Sequence, residues 1–136
     1  MILSRYHAPC AMNTAGLRGH DPSFAEAIDG WHYLDMVSDD NRTFAGLKGR
    51  LDLNGPEAWA AARGYDLGRL TVEGLARAPE RTREGVRLGL EQIKWLDAAE
   101  GHEGTQLGFG YYDRGALHGR YLVVRRWVGG ESIESS

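Results

Sequence analysis

The stretch Pro79 to Glu100, PERTREGVRLGLEQIKWLDAAE, decides the predicted fold, because it is the longest segment with helical periodicity. Apolar or small residues recur in it at three- and four-residue spacing: Val86, Gly89, Leu90, Ile93 and Leu96. This spacing predicts one long helix over about residues 79–100, which ends at Gly101 and packs its apolar stripe on the core. Gly85 and Gly89 are costly inside a helix, so they predict that another backbone approaches closely there.

Proline and glycine mark two further helices earlier in the chain. Pro22 and Pro56 each suit the first turn of a helix, where a missing N–H group is harmless. They predict short helices over residues 24–29 and 57–63, which end at Gly30 and Gly64.

Segments with period-two alternation predict strands around these helices. The candidate strands are residues 2–7, 31–37, 42–47, 50–53, 69–73, 105–112 and 118–128. Residues 31–37 are apolar on both faces and are expected inside the sheet, and the last two strands are expected to form a terminal hairpin. The predicted fold class is therefore α+β: a mainly antiparallel sheet of about five to seven strands, with a long helix (about 79–100) and two short helices packed on it.

Length and composition predict one soluble globular domain over residues 1–128, followed by a frayed polar tail over residues 129–136. The net charge is −3 and no apolar run approaches the roughly 20 residues of a membrane span, so we expect neither a basic nucleic-acid module nor a membrane protein. The first residues lack the apolar core of a secretory signal, which predicts a cytoplasmic protein. The expected core positions are Leu34, Met36, Leu51, Val72, Val86, Leu90, Ile93, Leu107, Phe109, Leu122 and Val124.

Histidine and carboxylate residues in the first quarter of the chain offer a candidate metal site. His20, Asp29 and His32 could bind zinc or another divalent ion and leave an open position for water. The order of a His, an Asp and then Trp-His resembles zinc D,D-peptidases, and the resemblance implies a metal-dependent hydrolase. Gly30 stands where that family has its general-base Glu. The alternative interpretation of the same residues is a helix cap and a strand histidine.

A second enzymatic hypothesis rests on the opening of the chain. The segments Ser4-Arg5-Tyr6-His7-Ala8-Pro9 and Ala15-Gly16-Leu17-Arg18 resemble the first strand and following loop of NAD-dependent ADP-ribosyltransferases. The resemblance implies that His7 holds the NAD ribose and that Tyr33 stacks on the nicotinamide. A late Glu directs transfer in that family, whereas residues 105–128 contain Asp113 as their one carboxylate.

The alternative to an enzyme is a binding protein that acts through a protein–protein surface. Tyr, Trp and Arg are enriched at binding hot spots, and the chain has 6 Tyr and 4 Trp. Consecutive Arg125 and Arg126 would point to opposite faces of a central strand, so we expect the strand to leave the sheet there and form an edge. The leading hypothesis is a small non-catalytic binding or inhibitor-type protein, by analogy with accessory factors of phage and mobile elements. This hypothesis involves no cofactor, and it places the contact with another protein at Arg120, Arg126 and Trp127. Nucleic acid is the less favoured alternative partner, because aromatic and arginine residues also occur together on the predicted hairpin.

Overall fold

The computed structural model describes residues 11–12, 25–53, 58–110, 112–113 and 115–135. Helices and strands both occur along this part of the chain, which confirms the α+β class. In chain order the elements are β1 (Ala11–Met12), α1 (Ala25–Ile28), β2 (His32–Asp35), α2 (Arg42–Leu51), α3 (Ala58–Arg77), α4 (Arg83–Glu91), β3 (Leu96–Asp97), β4 (Gln106–Leu107), β5 (Leu117–His118), β6 (Val123–Val128) and β7 (Glu131–Glu134). None of the described helices is long and apolar enough to span a bilayer.

The described strands form two sheets, so the prediction of one sheet is wrong. The large sheet has the order β1-β2-β6-β7, in which β1 pairs with β2 in parallel and the other pairs are antiparallel. The small sheet is antiparallel and has the order β3-β4-β5. The predicted terminal hairpin is therefore divided between the two sheets. Its first strand supplies β4 and the start of its second strand supplies β5 to the small sheet, whereas β6 belongs to the large one. β2 is internal, as its apolar sequence predicts.

The predicted helix over residues 79–100 is wrong in length, because α4 spans only Arg83–Glu91. Thr82 caps the start of α4, where its hydroxyl oxygen accepts the Gly85 N–H at 3.0 Å. Beyond the helix, the Ile93 carbonyl accepts the N–H of Phe109 at 2.9 Å, which draws the chain into the small sheet. The apolar stripe of the sequence thus continues past the helix as extended residues.

The close backbone approach predicted at Gly85 and Gly89 is confirmed. A Cβ atom on Gly89 would lie 2.1 Å from the carbonyl oxygen of Gly74 in α3, so the two helices meet backbone to backbone there. A Cβ atom on Gly85 would lie 2.1 Å from the carbonyl oxygen of Glu80. The absence of a side chain at Gly89 therefore sets the distance between α3 and α4, whereas Gly85 allows the connection before α4 to fold back on the helix.

The longest described helix is α3, with 20 residues, and it replaces the predicted helix 57–63 and the predicted strand 69–73. Its buried residues recur every four positions and form one face: Ala58, Ala62, Asp66, Leu70 and Gly74. The helix runs through Gly64 because this buried face continues on both sides of it, and packing outweighs a propensity cost of about 1 kcal/mol. Val72, which the alternation placed in the core, is 66% exposed.

Residues 42–47 and 50–53 are not strands, because α2 spans Arg42–Leu51. Asn41 caps α2: its side-chain oxygen accepts the Phe44 N–H at 3.0 Å. The amide nitrogen of Asn41 donates to the carbonyl oxygens of Ala98 and Gly101, each at 3.1 Å. The segment between the predicted strands 31–37 and 42–47 therefore leads into a helix.

The core consists of three clusters of buried apolar residues. One lies between α2 and α3 around Phe44, one lies under the small sheet around Ile93 and Leu107, and one joins Ile28 to Tyr33 and Trp127. Ile93 and Leu107 are confirmed as core residues, and four further predicted positions are half-buried: Met36, Val86, Leu90 and Phe109. The prediction is wrong for five exposed residues: Leu34, Leu51, Val72, Leu122 and Val124.

The predicted frayed tail is wrong for Glu131–Glu134, which form β7 and pair with β6. The pairing continues beyond the strand, where the Ser135 N–H donates to the Val124 carbonyl at 2.8 Å. The small and acidic residues of this segment take part in the fold because Ser132 and Glu134 meet buried polar groups.

Candidate functional site

Strand β6 alternates between a buried and an exposed face. Val123, Arg125 and Trp127 are buried, whereas the three residues between and after them are exposed. The strand pairs with β2 on one side and with β7 on the other, so the prediction that it leaves the sheet at Arg125 is wrong. The sheet accommodates both arginines because Arg125 is buried with hydrogen-bonding partners, whereas Arg126 points to solvent.

Arg125 has its charge matched by oxygen atoms inside the protein. Its guanidinium donates to the Ser132 hydroxyl at 2.8 Å, to the Ser132 carbonyl at 3.0 Å and to the Asp39 carboxylate at 3.1 Å. A carboxylate oxygen of Glu134 lies 3.8 Å away. These partners satisfy a buried cation and hold β7 against β6, so Arg125 is not available to a ligand.

A polar junction, formed by Ser38, Asp40, His102 and Glu134, adjoins Arg125 through Glu134. The Ser38 hydroxyl oxygen lies 2.7 Å from one Asp40 oxygen, 2.9 Å from one Glu134 oxygen and 3.2 Å from Nδ1 of His102. The same His102 nitrogen lies 3.2 Å from the other Asp40 oxygen. A hydroxyl carries one proton, so Ser38 donates to only one of the two carboxylates at a time.

The polar junction lacks the geometry of a nucleophilic serine site. In such a site the histidine contacts the serine through one ring nitrogen and the carboxylate through the other. Here Ser38 and Asp40 both contact Nδ1 of His102, and Ser38 is fully buried. The junction instead ties three segments together: the β2–α2 connection, the loop between β3 and β4, and the end of β7.

Two carboxylates that contact the loop between β3 and β4, those of Asp40 and Asp66, have shifted pKa values. Desolvation alone would raise the pKa of Asp40, but hydrogen bonds from Ser38, the Glu103 N–H and His102 outweigh it and lower the pKa. The pKa of Asp66 is raised, because burial outweighs the hydrogen bonds that its carboxylate accepts from Ala99 and Glu100. Both carboxylates bind backbone N–H groups of the same loop, which gives them a role in the fold.

The other face of the large sheet is open and apolar. Its residues come from β2, β6 and β7, and four large apolar side chains on it are each 38–45% exposed. The register places Leu34 opposite Val124, and it places Arg126 opposite both His32 and Ile133. Side chains that face each other across strands lie about 5 Å apart and form one continuous surface. We name this set the open sheet face: His32, Leu34, Val124, Arg126, Val128 and Ile133.

Arg126 lies at the centre of the open sheet face. Val124 and Val128 flank it along β6, and Ile133 lies opposite on β7. Within the described part of the chain, Arg126 has no ion-pair or hydrogen-bond partner for its side chain. Glu131 is on the same face, but it lies opposite Val128 in the strand register and is therefore diagonal to Arg126. The face therefore combines exposed apolar groups with an unneutralised guanidinium.

Of the predicted partner-binding residues, Arg126 and Arg120 are exposed but Trp127 is buried. The Trp127 ring stacks on Tyr33 with centroids 5.6 Å apart, and both side chains are at most 7% exposed. The Tyr33 hydroxyl forms a hydrogen bond with the Ser132 hydroxyl. Trp127 is thus a core residue, and the ring of Tyr33 does not lie at the surface, where a nicotinamide would stack.

Among the described residues, the other predicted site residues Asp29, His32 and Asp113 have separate positions in the fold. His7 and His20 lie outside the described residues. Asp29 accepts the Gly129 N–H at 2.8 Å, and Asp113 accepts the Gly115 N–H at 2.9 Å within a turn. His32 lies on the open sheet face. No three potential metal ligands come together among the residues that the structure describes.

Two features of the site were not predicted from the sequence, for different reasons. Val123 and Val124 are both apolar, so alternation alone does not show which face of β6 is buried. The polar junction has no local signal, because Ser38, His102 and Glu134 are far apart in the chain. The charges give no signal either, because Arg125 and Arg126 are consecutive and point to opposite faces of β6.

No protein-family model matches the chain, and no curated protein or solved structure matches it either. Two features of the fold bear on function: the polar junction and the open sheet face. The polar junction is committed to contacts within the fold, whereas the open sheet face presents its side chains to solvent.

Proposed function

We propose that this protein is a small non-catalytic binding module that docks on another protein through the open sheet face. The observation that carries the proposal is the exposure of four large apolar side chains on adjacent strands around one arginine. Single exposed apolar residues are ordinary on protein surfaces. A contiguous apolar patch with a polar rim is typical of an interaction site.

The apolar residues on the exposed face of the large sheet support the proposal that a partner covers this face. Antiparallel sheets with one solvated face commonly carry polar residues on that face. The solvated face of this sheet carries Leu34, Val124, Val128 and Ile133 instead. Completing the burial of a half-exposed aliphatic side chain is worth roughly 1 kcal/mol, so a partner that covers all four gains a useful contact core.

The placement of the reactive groups also favours binding over catalysis. Ser38 and Tyr33 are buried and hydrogen-bonded within the fold, and Asp113 stabilises a turn. A catalytic group has to reach its substrate. These three side chains have their hydrogen bonds inside the protein, which supports structural roles for them.

The test is affinity capture from the cells that produce the protein, followed by reconstitution of the complex from the purified captured protein. Val124→Glu places a charge in the middle of the open sheet face. Leu67→Glu places the same charge on an exposed position of α3, outside the large sheet. We expect Val124→Glu to raise the Kd at least about tenfold, which corresponds to about 1.4 kcal/mol, and Leu67→Glu to leave it within about twofold.

Both variants should melt close to the wild-type temperature, because Val124 and Leu67 are 45% and 59% exposed. This control separates loss of the docking surface from loss of the fold. The same Kd for all three proteins, or equal losses in the two variants, would place the contact elsewhere and overturn the proposal.

A further inference from the structure

Resting on the proposed function, we infer that the protein partner covers Arg126 with a carboxylate side chain set among apolar residues. Arg126 has two valines beside it along β6 and Ile133 opposite on β7. A partner that buries these aliphatic side chains also removes water from the guanidinium. A buried and unpaired charge would cancel much of the affinity that the apolar contact supplies.

A carboxylate is the group that best satisfies this guanidinium. Arginine presents its donors in a rigid planar fork that matches two carboxylate oxygens, and such charge-assisted pairs are stronger than neutral hydrogen bonds. Arg126 is free to form this pair, because no described carboxylate holds it in the free protein. Arg125 shows the contrast within one strand, since its guanidinium is already taken by Asp39 and Ser132.

Two other occupants fit the face less well. A second copy of this chain, packed about a two-fold axis through the centre of the face, would bring the two Arg126 side chains towards each other. Glu131, the carboxylate on this face, lies at the end of β7, away from that centre. Nucleic acid is bound through several cations that follow the phosphates. The open sheet face offers one arginine surrounded by aliphatic side chains, which favours a protein surface with one matching carboxylate.

The experiment uses the captured and purified partner as the probe and measures its Kd for variants at Arg126. Arg126→Met keeps an apolar stem of similar length but removes the charge, and we expect the Kd to rise at least about tenfold. Arg126→Lys keeps the charge without the fork, so its loss should be smaller. Glu131→Gln is the matched control on the same face and should stay within about twofold.

Salt dependence gives a second measurement of the same pair. The wild-type complex should weaken between about 50 and 500 mM NaCl, and the Arg126→Met complex should lose most of this dependence. Arg126→Glu should weaken binding further, and replacing the contacting partner carboxylate by Arg should restore at least about fivefold of that loss. Rescue of this kind requires direct pairing of the two side chains.

The outcomes separate this inference from the proposed function. If Val124→Glu abolishes binding while Arg126→Met binds as tightly as the wild type, the face is the docking surface and the carboxylate inference is overturned. If Val124→Glu has no effect, the proposed function itself fails. A dimer of the protein alone that Val124→Glu dissociates, or a bound nucleic acid, would also overturn the inference by showing a different occupant.

Discussion

Replacing Gly89 by alanine should destabilise the fold, although alanine is the better helix former. Gly89 lies in α4, where a Cβ atom would be 2.1 Å from the Gly74 carbonyl oxygen and 2.8 Å from the Ala78 nitrogen. Both neighbours are backbone atoms of α3 and of the segment that follows it. They cannot rotate away as a side chain can, so the two helices have to separate.

The magnitude follows from two opposing effects. Forcing an extra carbon into a packed interior typically costs about 1–3 kcal/mol, and a contact to backbone this short places Gly89→Ala near the upper limit. The change from glycine to alanine inside a helix returns up to about 1 kcal/mol. We therefore expect a net loss of about 2 kcal/mol in the free energy of unfolding.

Urea denaturation followed by circular dichroism measures this loss, with an unchanged slope as evidence of two-state unfolding. Gly64→Ala in α3 is the matched control, because nothing lies within 4 Å of a Cβ atom at that position. It should raise stability by up to about 1 kcal/mol. A Gly89→Ala variant as stable as Gly64→Ala would refute the close contact between α3 and α4.

Three further variants test the core and the two shifted carboxylates. Ile93→Ala should lower the free energy of unfolding by about 2–5 kcal/mol, because Ile93 is 2% exposed, and a loss below about 0.5 kcal/mol in urea would place it at the surface. Because the pKa of Asp40 is lowered, the Asp40 carboxylate stabilises the fold fully above pH 3.8, and this stabilisation is lost as the pH falls through the folded-state pKa. Asp40→Asn should therefore cost more stability at pH 6 than at about pH 2.5. The raised pKa of Asp66 has the opposite effect on stability. The contribution of Asp66 to stability is full below pH 3.8 and is lost as the pH rises through the folded-state pKa. The stability of Asp66→Asn relative to the wild type should therefore improve with rising pH. Melting curves across this pH range check both, and a pH-independent difference from the wild type in either variant would contradict the corresponding pKa direction.

The sequence predicts the class of the fold better than the bounds of its elements. Gly85 and Gly89 correctly predict a close backbone contact, because a glycine inside a helix needs a packing reason. Gly64 carries the same local signal but lies on the exposed side of α3, where glycine is merely tolerated. Which of these glycines ends a helix depends on the tertiary packing around it, and a single sequence does not contain that information.

The candidate site shows the same limit in its strands. Both faces of β6 are apolar near Val123 and Val124, so periodicity leaves the register open. The register is decided by long-range partners: Asp39, Ser132 and Glu134 supply the oxygens that allow Arg125 to be buried. Those partners come from the β2–α2 connection and from a segment that composition alone predicts to be frayed.

Site-specific photocrosslinking in the producing cells tests the central claim most directly. A photoreactive phenylalanine derivative is introduced in place of Val124 on the open sheet face and, in a separate variant, in place of Leu67 on α3. The account predicts one discrete crosslinked partner protein from position 124, which excess wild-type protein competes away, and no such product from position 67. The absence of a discrete product from position 124, or the same products from both positions, would contradict docking through the open sheet face.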